Sequence, residues 1–329
     1  MRAITYSEFG PAAEVLKLVD LPTPHPAYGE VLVRLKASGV NPSDISGRSG
    51  MRPGVTTPAY PQIIPHSDGA GVIEAVGEGV DPARIGQRVW IWNGQWQRAF
   101  GTAADYIALP SLQAVALPDN ITFSEGAVLG IPAMTATYCV LGGGDVAGKT
   151  LLVSGGGGTV GRLAVQIAKT SGARVISTAG NAAQQEAARQ AGADAVLGYN
   201  DPDLAAGILA ANDGQPVDQI VEVEFGRNAE VSTAVIAERG RIVAYGSAKD
   251  RTPMLPFYPL MFKGVTLEMA LVYILSESAR RTTEAQLTTL LEQGALDIRI
   301  AHTLPLEACA EAHDRIANGQ RAGSVILTI

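Results

Sequence analysis

Gly156, Gly158 and Gly161 have the spacing G-x-G-x-x-G, and they sit between the apolar run Leu151-Leu152-Val153-Ser154 and a helical pattern that opens at Val160. Residues of this type in this order can hold phosphate. Two of the glycines allow a tight turn and close backbone approach, and the third lets helix and strand pack closely. A pyrophosphate would then meet free N–H groups at the positive end of the helix. Gly155, Gly158, Thr159, Val160 and Gly161 are the candidate contacts to a dinucleotide. A glycine pattern alone also suits a structural loop, but strand, turn and helix here follow in the required order.

A second signal concerns the ribose. Dinucleotide folds that prefer NAD place Asp or Glu at the end of the second strand, on the ribose 2′-hydroxyl. Here the strand Arg174-Val175-Ile176-Ser177-Thr178 runs on into Ala179-Gly180-Asn181 without a carboxylate, and the next is Glu186, inside a helix. A carboxylate would repel a 2′-phosphate, so its absence beside small hydroxyls favours NADPH. The alternative is that Ser177 and Thr178 only finish a strand.

The elements that must position these residues change character along the chain. Up to about residue 120, proline and glycine separate short β-like runs such as 31–37, 71–76 and 88–92, which suggests a compact, mostly β domain. From about Ser124 strands and helices alternate: strand 151–154, helix 160–171, strand 174–178, helix 182–191, then strands 195–197, 219–223 and 241–245. That is the rhythm of a parallel, doubly wound α/β sheet. Gly172 and Gly192 stand where helix C-caps belong. Two further helices, near 283–293 and 305–317, and a closing strand Ser324–Thr328 are expected to return to the first domain. The expected division is 1–123 with 268–329, and 124–267.

Composition excludes several classes. The 329 residues are long enough for two domains, and 47% are apolar. A net charge of −7 argues against nucleic acid or an anionic membrane as main partner. The two cysteines, Cys139 and Cys309, read as buried free thiols in a reducing compartment. The N-terminus alternates like a strand rather than a signal peptide, and the longest uncharged run, 127–144, is broken by glycine, proline and threonine. A soluble, cytoplasmic protein is expected.

The segments Ala37–Asp44, Ser67–Gly77, Gly130–Ala136, the glycine turn and Ala308–His313 resemble those of the medium-chain dehydrogenase/reductase superfamily, within it the zinc-free quinone oxidoreductase branch that includes zeta-crystallin. The similarity covers nearly the whole chain. It implies a GroES-like catalytic domain, a Rossmann domain and a homodimer. It also implies no metal, because the zinc enzymes carry Cys where this chain has Asn41, His where it has Ser67, and their third ligand close to Ile131. Without a Lewis acid, alcohol oxidation gives way to direct hydride transfer onto a quinone or an α,β-unsaturated carbonyl.

The resemblance also assigns residues. Asn41 falls near the nicotinamide and substrate, where its amide would donate to a developing oxyanion; a turn-former before Pro42 is the equal alternative. Asp44 lies in the same cofactor-facing segment, as do Pro42, Ser43 and Ser46, the last where many relatives have a tyrosine. His66 replaces the usual glycine and is expected either to supply a proton or to be a hydrogen-bonded structural histidine. Thr135, Tyr138, Tyr245, Gly246, Ser247, Leu271 and Val272 fall at the nicotinamide end. Tyr199 falls near the adenosine phosphate, where an accompanying lysine is here Gln184, leaving Arg321 to supply charge. Trp92 and Trp96 are candidates for the substrate slot, although aromatics in a β domain are commonly core. Three functions stay open: an NADPH-dependent quinone reductase, a reductase of enones or enoyl thioesters, and a non-catalytic NADPH-binding structural or sensor protein.

Overall fold

The computed structural model describes residues 1–51, 54–319 and 323–329, so Arg321 lies outside the described residues. Two compact units result, Met1–Ile131 with Ile298–Ile329, and Pro132–Asp297.

The second unit is built on six parallel strands in the spatial order Ala195–Gly198, Arg174–Ala179, Thr150–Val153, Val217–Glu222, Ile236–Ala244, Thr266–Met269. Counted along the chain this is the order 3-2-1-4-5-6 of a Rossmann sheet, whose direction of winding reverses beside the glycine strand. Leu151, Val153, Val175, Ile176, Ile220, Val221, Ile242 and Val243 are wholly buried, which is why these strands read as apolar runs rather than alternating ones. Helices Leu204–Ala211 and Phe225–Val235 close one core with Leu152, Ile176, Ile220 and Ile242. Helix Thr159–Thr170 packs with helix Met134–Leu141 and its neighbouring strands. It ends at Gly172 (φ +81°), as helix Ala182–Gln190 ends at Gly192 (φ +104°).

Four elements among the described residues of this unit escaped the pattern reading: Leu204–Ala211, Phe225–Val235, Phe257–Phe262 and the edge strand Thr266–Met269. The first is a short apolar run without polar spacing, which a strand would also show. The strand expected at 241–245 begins at Ile236 and carries a register shift, with Arg239 at φ +57°. Helix Glu277–Glu292 belongs to the second unit, where it packs on Met134–Leu141, and the unit runs on to Asp297, which accepts from Arg162. The unit limits therefore differ from the expected 123/124 and 267/268.

The first unit carries a seven-stranded sheet in the order Ile300–Pro305, Ser324–Thr328, Glu30–Val40, Asp68–Val76, Arg88–Ile91, Ala114–Ala116, with Tyr106–Pro110 also pairing Glu30–Val40. Val31, Val33 and Leu35 alternate into one core with Ile73, Val89, Ile91, Ile107 and Leu109. The other core gathers Ile4, Ile64, Leu306, Ala312 and Val325, so helix Cys309–Ala317 and the closing strand do return to this unit. Among the described residues no helix is long and apolar enough to cross a membrane.

A Cβ on Gly161 would stand 2.2 Å from the Gly155 carbonyl oxygen. Gly161→Ala is expected to lower stability by about 2 kcal/mol, the scale of an overpacked site. Gly198→Ala, whose Cβ would meet only Gln185 Nε2 at 3.7 Å, serves as the control. Urea unfolding of both variants checks this.

Candidate cofactor and substrate site

The glycine turn is shaped by contacts that leave no room for side chains. Gly155 has φ +71°, and a Cβ on Gly156 would lie 2.0 Å from Ser177 Oγ. The Gly156 N–H donates to the Thr178 carbonyl (3.0 Å) and the Gly155 N–H to Thr178 Oγ1 (3.3 Å), pinning the turn to the second strand. Gly158 is the N-cap of helix Thr159–Thr170 and brings no capping side chain. The first N–H groups, including those of Val160 and Gly161, are thus left for a ligand. The residues present fit a dinucleotide pyrophosphate.

Beside the turn, a cavity of about 200 Å³ opens at the carboxyl ends of the strands. Ser154, Thr178 and Tyr199 line it on one side, and Val223, Arg227 and Lys249 line the rest with Gly155, Glu224 and Asn228. Ser177, expected beside the ribose, is instead wholly buried, and its hydroxyl donates to the Val153 carbonyl (2.9 Å), so it faces the strand pairing. Asn181 Oδ1 caps helix Ala182–Gln190 by accepting the Gln184 N–H (2.9 Å), and Gln184 Oε1 accepts the Gly180 N–H (3.2 Å). Gly180 is packed so closely on Tyr199 that a Cβ would lie 2.7 Å from its ring. The sequence reading missed Arg227 and Lys249, because both follow strands with no motif of their own.

Farther along the same unit, Gly246 follows the fifth strand, with its carbonyl accepting the Phe225 N–H (2.9 Å), and Ser247 Oγ accepts the Gly226 N–H (2.9 Å). Tyr245 is half-buried, Leu271 exposed and Val272 buried. Thr135 is buried in helix Met134–Leu141. Tyr138 is turned elsewhere. Its hydroxyl donates to Glu268, which also accepts from Arg241, and burial with this bond pushes the phenol up to about 12.

In the first unit, Asn41 caps helix Pro42–Arg48 and Pro42 occupies its first position. The Asp44 carboxylate accepts the Asn41 backbone N–H (2.7 Å). Asn41 Nδ2 donates to Asp68 Oδ2 (2.8 Å), so the amide is held in one orientation, with a second N–H to spare. Burial holds the Asp68 carboxyl well above the usual carboxylate range, against the bond from Asn41 that pulls it down. Ser67 is buried and its Oγ accepts the Gln95 N–H (3.4 Å). Ser43 and Ser46 are half-buried, as are Trp92 and Trp96, whereas the neighbouring Trp90 fills the core. Asn41, Ser67 and Ile131 offer an amide, a hydroxyl and an apolar chain, which is a poor donor set for zinc.

Residues 27–119 match the alcohol dehydrogenase GroES-like domain, and residues 159–291 match the zinc-binding dehydrogenase family. Human quinone oxidoreductase is 32% identical over 332 residues, spanning 100% of this chain and 98% of the relative. The chain belongs to the quinone oxidoreductase branch of the medium-chain dehydrogenase/reductase superfamily. Its fold superposes with a TM-score of 0.86 on Escherichia coli quinone oxidoreductase complexed with NADPH, at 26% identity and with 100% of each chain covered. An NAD-dependent alcohol dehydrogenase also gives 0.86, at 30% identity and the same coverage. The protein is an oxidoreductase of this superfamily, with a GroES-like and a Rossmann unit.

Within that family frame His66 has a physical explanation. Its φ is +76°, the left-handed region that favours glycine. Thr102 Oγ1 donates to the Asp68 carbonyl (2.5 Å), so Ser38 Oγ must donate to Thr102 (2.8 Å) and accept from His66 Nδ1 (2.9 Å). His66 Nε2 is then the acceptor for His313 Nε2 (2.9 Å), with Cys309 Sγ at 3.8 Å. Both rings are wholly buried. Burial, reinforced by His313, pushes His66 well below the ordinary imidazole value; burial and Arg48 push His313 down to about 3. A neutral ring with both nitrogens occupied inside the unit has no proton to give a substrate, so His66 is the hydrogen-bonded structural histidine rather than the proton donor.

Both histidines are neutral in the folded protein. The unfolded chain takes up protons below about pH 6.5 that the native state refuses, so stability is full above that pH and falls as pH drops toward 3. His313→Gln keeps a donor to His66 and removes one titrating group. It is expected to lessen the slope of unfolding free energy against pH by about 1.4 kcal/mol per unit between pH 6 and 4. Urea titrations across that range check it.

Proposed function

We propose that the protein is an NADPH-dependent quinone reductase that works without zinc. The observation that carries this reading is the set Asn41, Ser67 and Ile131 with the Asn41–Asp68 pair: it offers oriented neutral donors where alcohol chemistry needs a metal's ligands. NADPH, when bound, supplies hydride. The chain's own part is binding, orientation and one polar contact. The turn 155–161 holds the pyrophosphate; Thr178, Gly180, Asn181, Gln184 and Tyr199 surround the adenosine; Thr135, Tyr245, Gly246, Ser247, Leu271 and Val272 receive the nicotinamide end. Pro42, Ser43 and Ser46 complete the cofactor-facing segment. Asn41 donates its remaining N–H to the acceptor's oxygen as negative charge gathers there, and Asp44 fixes the Asn41 backbone. Trp92 and Trp96 wall the acceptor.

A homodimer fits the same reading. The edge strand Thr266–Met269 and its surroundings expose Phe257 (58%), Phe262 (80%), Met269 (68%) and Ile274 (66%), a band of apolar surface beside unpaired strand edge. Met269→Lys is expected to shift sedimentation from dimer toward monomer.

Steady-state NADPH and NADH oxidation with 1,4-benzoquinone and a simple enone, with and without chelator, tests the activity. The expected result is NADPH-preferring quinone turnover that chelator leaves unchanged. Asn41→Ala should lower kcat about 100-fold, the size of one lost oxyanion donor. Turnover on the enone alone would replace the quinone, and tight NADPH binding without turnover on either would make the protein a binding protein.

A further inference from the structure

Gln184, which the family resemblance sets near the adenosine phosphate, is neutral. Gln184 is, moreover, occupied: its Oε1 accepts the Gly180 N–H (3.2 Å). Charge for a 2′-phosphate must come from elsewhere. The cavity beside the glycine turn shows where. It opens at the carboxyl ends of the sheet strands, where a dinucleotide's adenosine lies in this topology.

Two cations line it, Arg227 from the first turn of helix Phe225–Val235 and Lys249 from the loop after the fifth strand. The Arg227 guanidinium stands 6.0 Å from the centre of the Tyr199 ring, and among the described residues its one side-chain hydrogen bond is to Asn200 Oδ1 at 3.4 Å. That leaves most of its fork of donors open to a ligand. The carboxylates nearby are committed to the backbone and to neighbours. Glu224 accepts the N–H groups of Lys249 (2.8 Å) and Ala248 (3.1 Å), so it holds the Lys249 loop in place. Glu222 accepts from Ser154 (2.6 Å), Asn228 (2.9 Å) and the Glu224 N–H (2.6 Å). Among the described residues, the cavity thus presents cations with free donors beside acids whose oxygens are already engaged. The second strand adds no carboxylate from Ser177 to Asn181.

We propose that Arg227 and Lys249 form the subsite for the 2′-phosphate of NADPH, with Tyr199 stacked under the guanidinium. This inference rests on the NADPH reading above, and it makes the discrimination against NADH a property of the walls after the fourth and fifth strands.

Isothermal titration of the full chain with 2′,5′-ADP and with 5′-AMP, which differ by the 2′-phosphate, tests it without turnover. Both cations are exposed, so their removal leaves the fold intact, as thermal melting will verify. The wild type should bind 2′,5′-ADP more than tenfold tighter than 5′-AMP. Arg227→Ala and Lys249→Ala should each cut that ratio about tenfold, the size of a lost charge-assisted contact, and leave 5′-AMP affinity within about twofold. Arg321→Ala is measured beside them. A wild type that discriminates while Arg227→Ala and Lys249→Ala keep the full ratio, or one whose ratio falls only with Arg321→Ala, overturns the subsite and spares the NADPH reading. A wild type that binds the two fragments equally overturns both.

Discussion

The close approach of Gly161 to the Gly155 carbonyl is the contact on which the second unit's architecture turns. It brings the start of helix Thr159–Thr170 down onto the end of the glycine strand, which in turn requires Gly156 to lie against Ser177 of the next strand. The helix then begins without a capping side chain, so its N–H groups and its dipole point outward at the reversal of the sheet. The cavity beside it follows from the same reversal: strands to either side diverge, and their following loops form its walls. A side chain at Gly156 or Gly161 would force the turn away from the second strand or the helix away from the turn.

The first unit depends on a different device, a run of buried neutral polar groups. From His313 through His66, Ser38 and Thr102 to the Asp68 carbonyl, each donor has a defined acceptor. Such a chain is costly to interrupt, because an unpaired polar group in a dry interior loses its hydrogen bond without regaining water. Its far end is the Asp68 backbone, and the Asp68 carboxyl holds Asn41. His66 thereby braces the Asp68 backbone and, through it, the residue that orients Asn41. Its left-handed backbone, costing about 1 kcal/mol or more for a residue with a Cβ, is offset by its two ring hydrogen bonds.

What the amino-acid pattern made legible was local. The apolar runs at 151–153 and 174–178, the glycines at 156, 158 and 161, and the terminal glycines 172 and 192 each act through backbone conformation or burial, and each was readable in place. The helix Leu204–Ala211 was not, because eight apolar and small residues fit a buried strand as well as a helix until neighbours decide. Ser177 illustrates the same limit at the site. A hydroxyl at the end of the second strand suits a ribose, but the pleat turns this one inward to Val153 and leaves Thr178 to face the cavity.

The sequence by itself determined the parallel sheet, the phosphate turn and the missing carboxylate on the second strand, because periodicity, glycine geometry and charge are properties of adjacent residues. Its resemblance to the family implied too that Asn41, Ser67 and Ile131 stand where zinc enzymes carry their ligands. Tertiary structure alone decided that Arg227 and Lys249 share a cavity with Tyr199, that Asn41 is oriented by Asp68, and that His66 is sealed against His313, 247 residues away. Such pairings join residues distant in the chain, and their energies depend on burial and angle, neither of which exists until the sheets have closed.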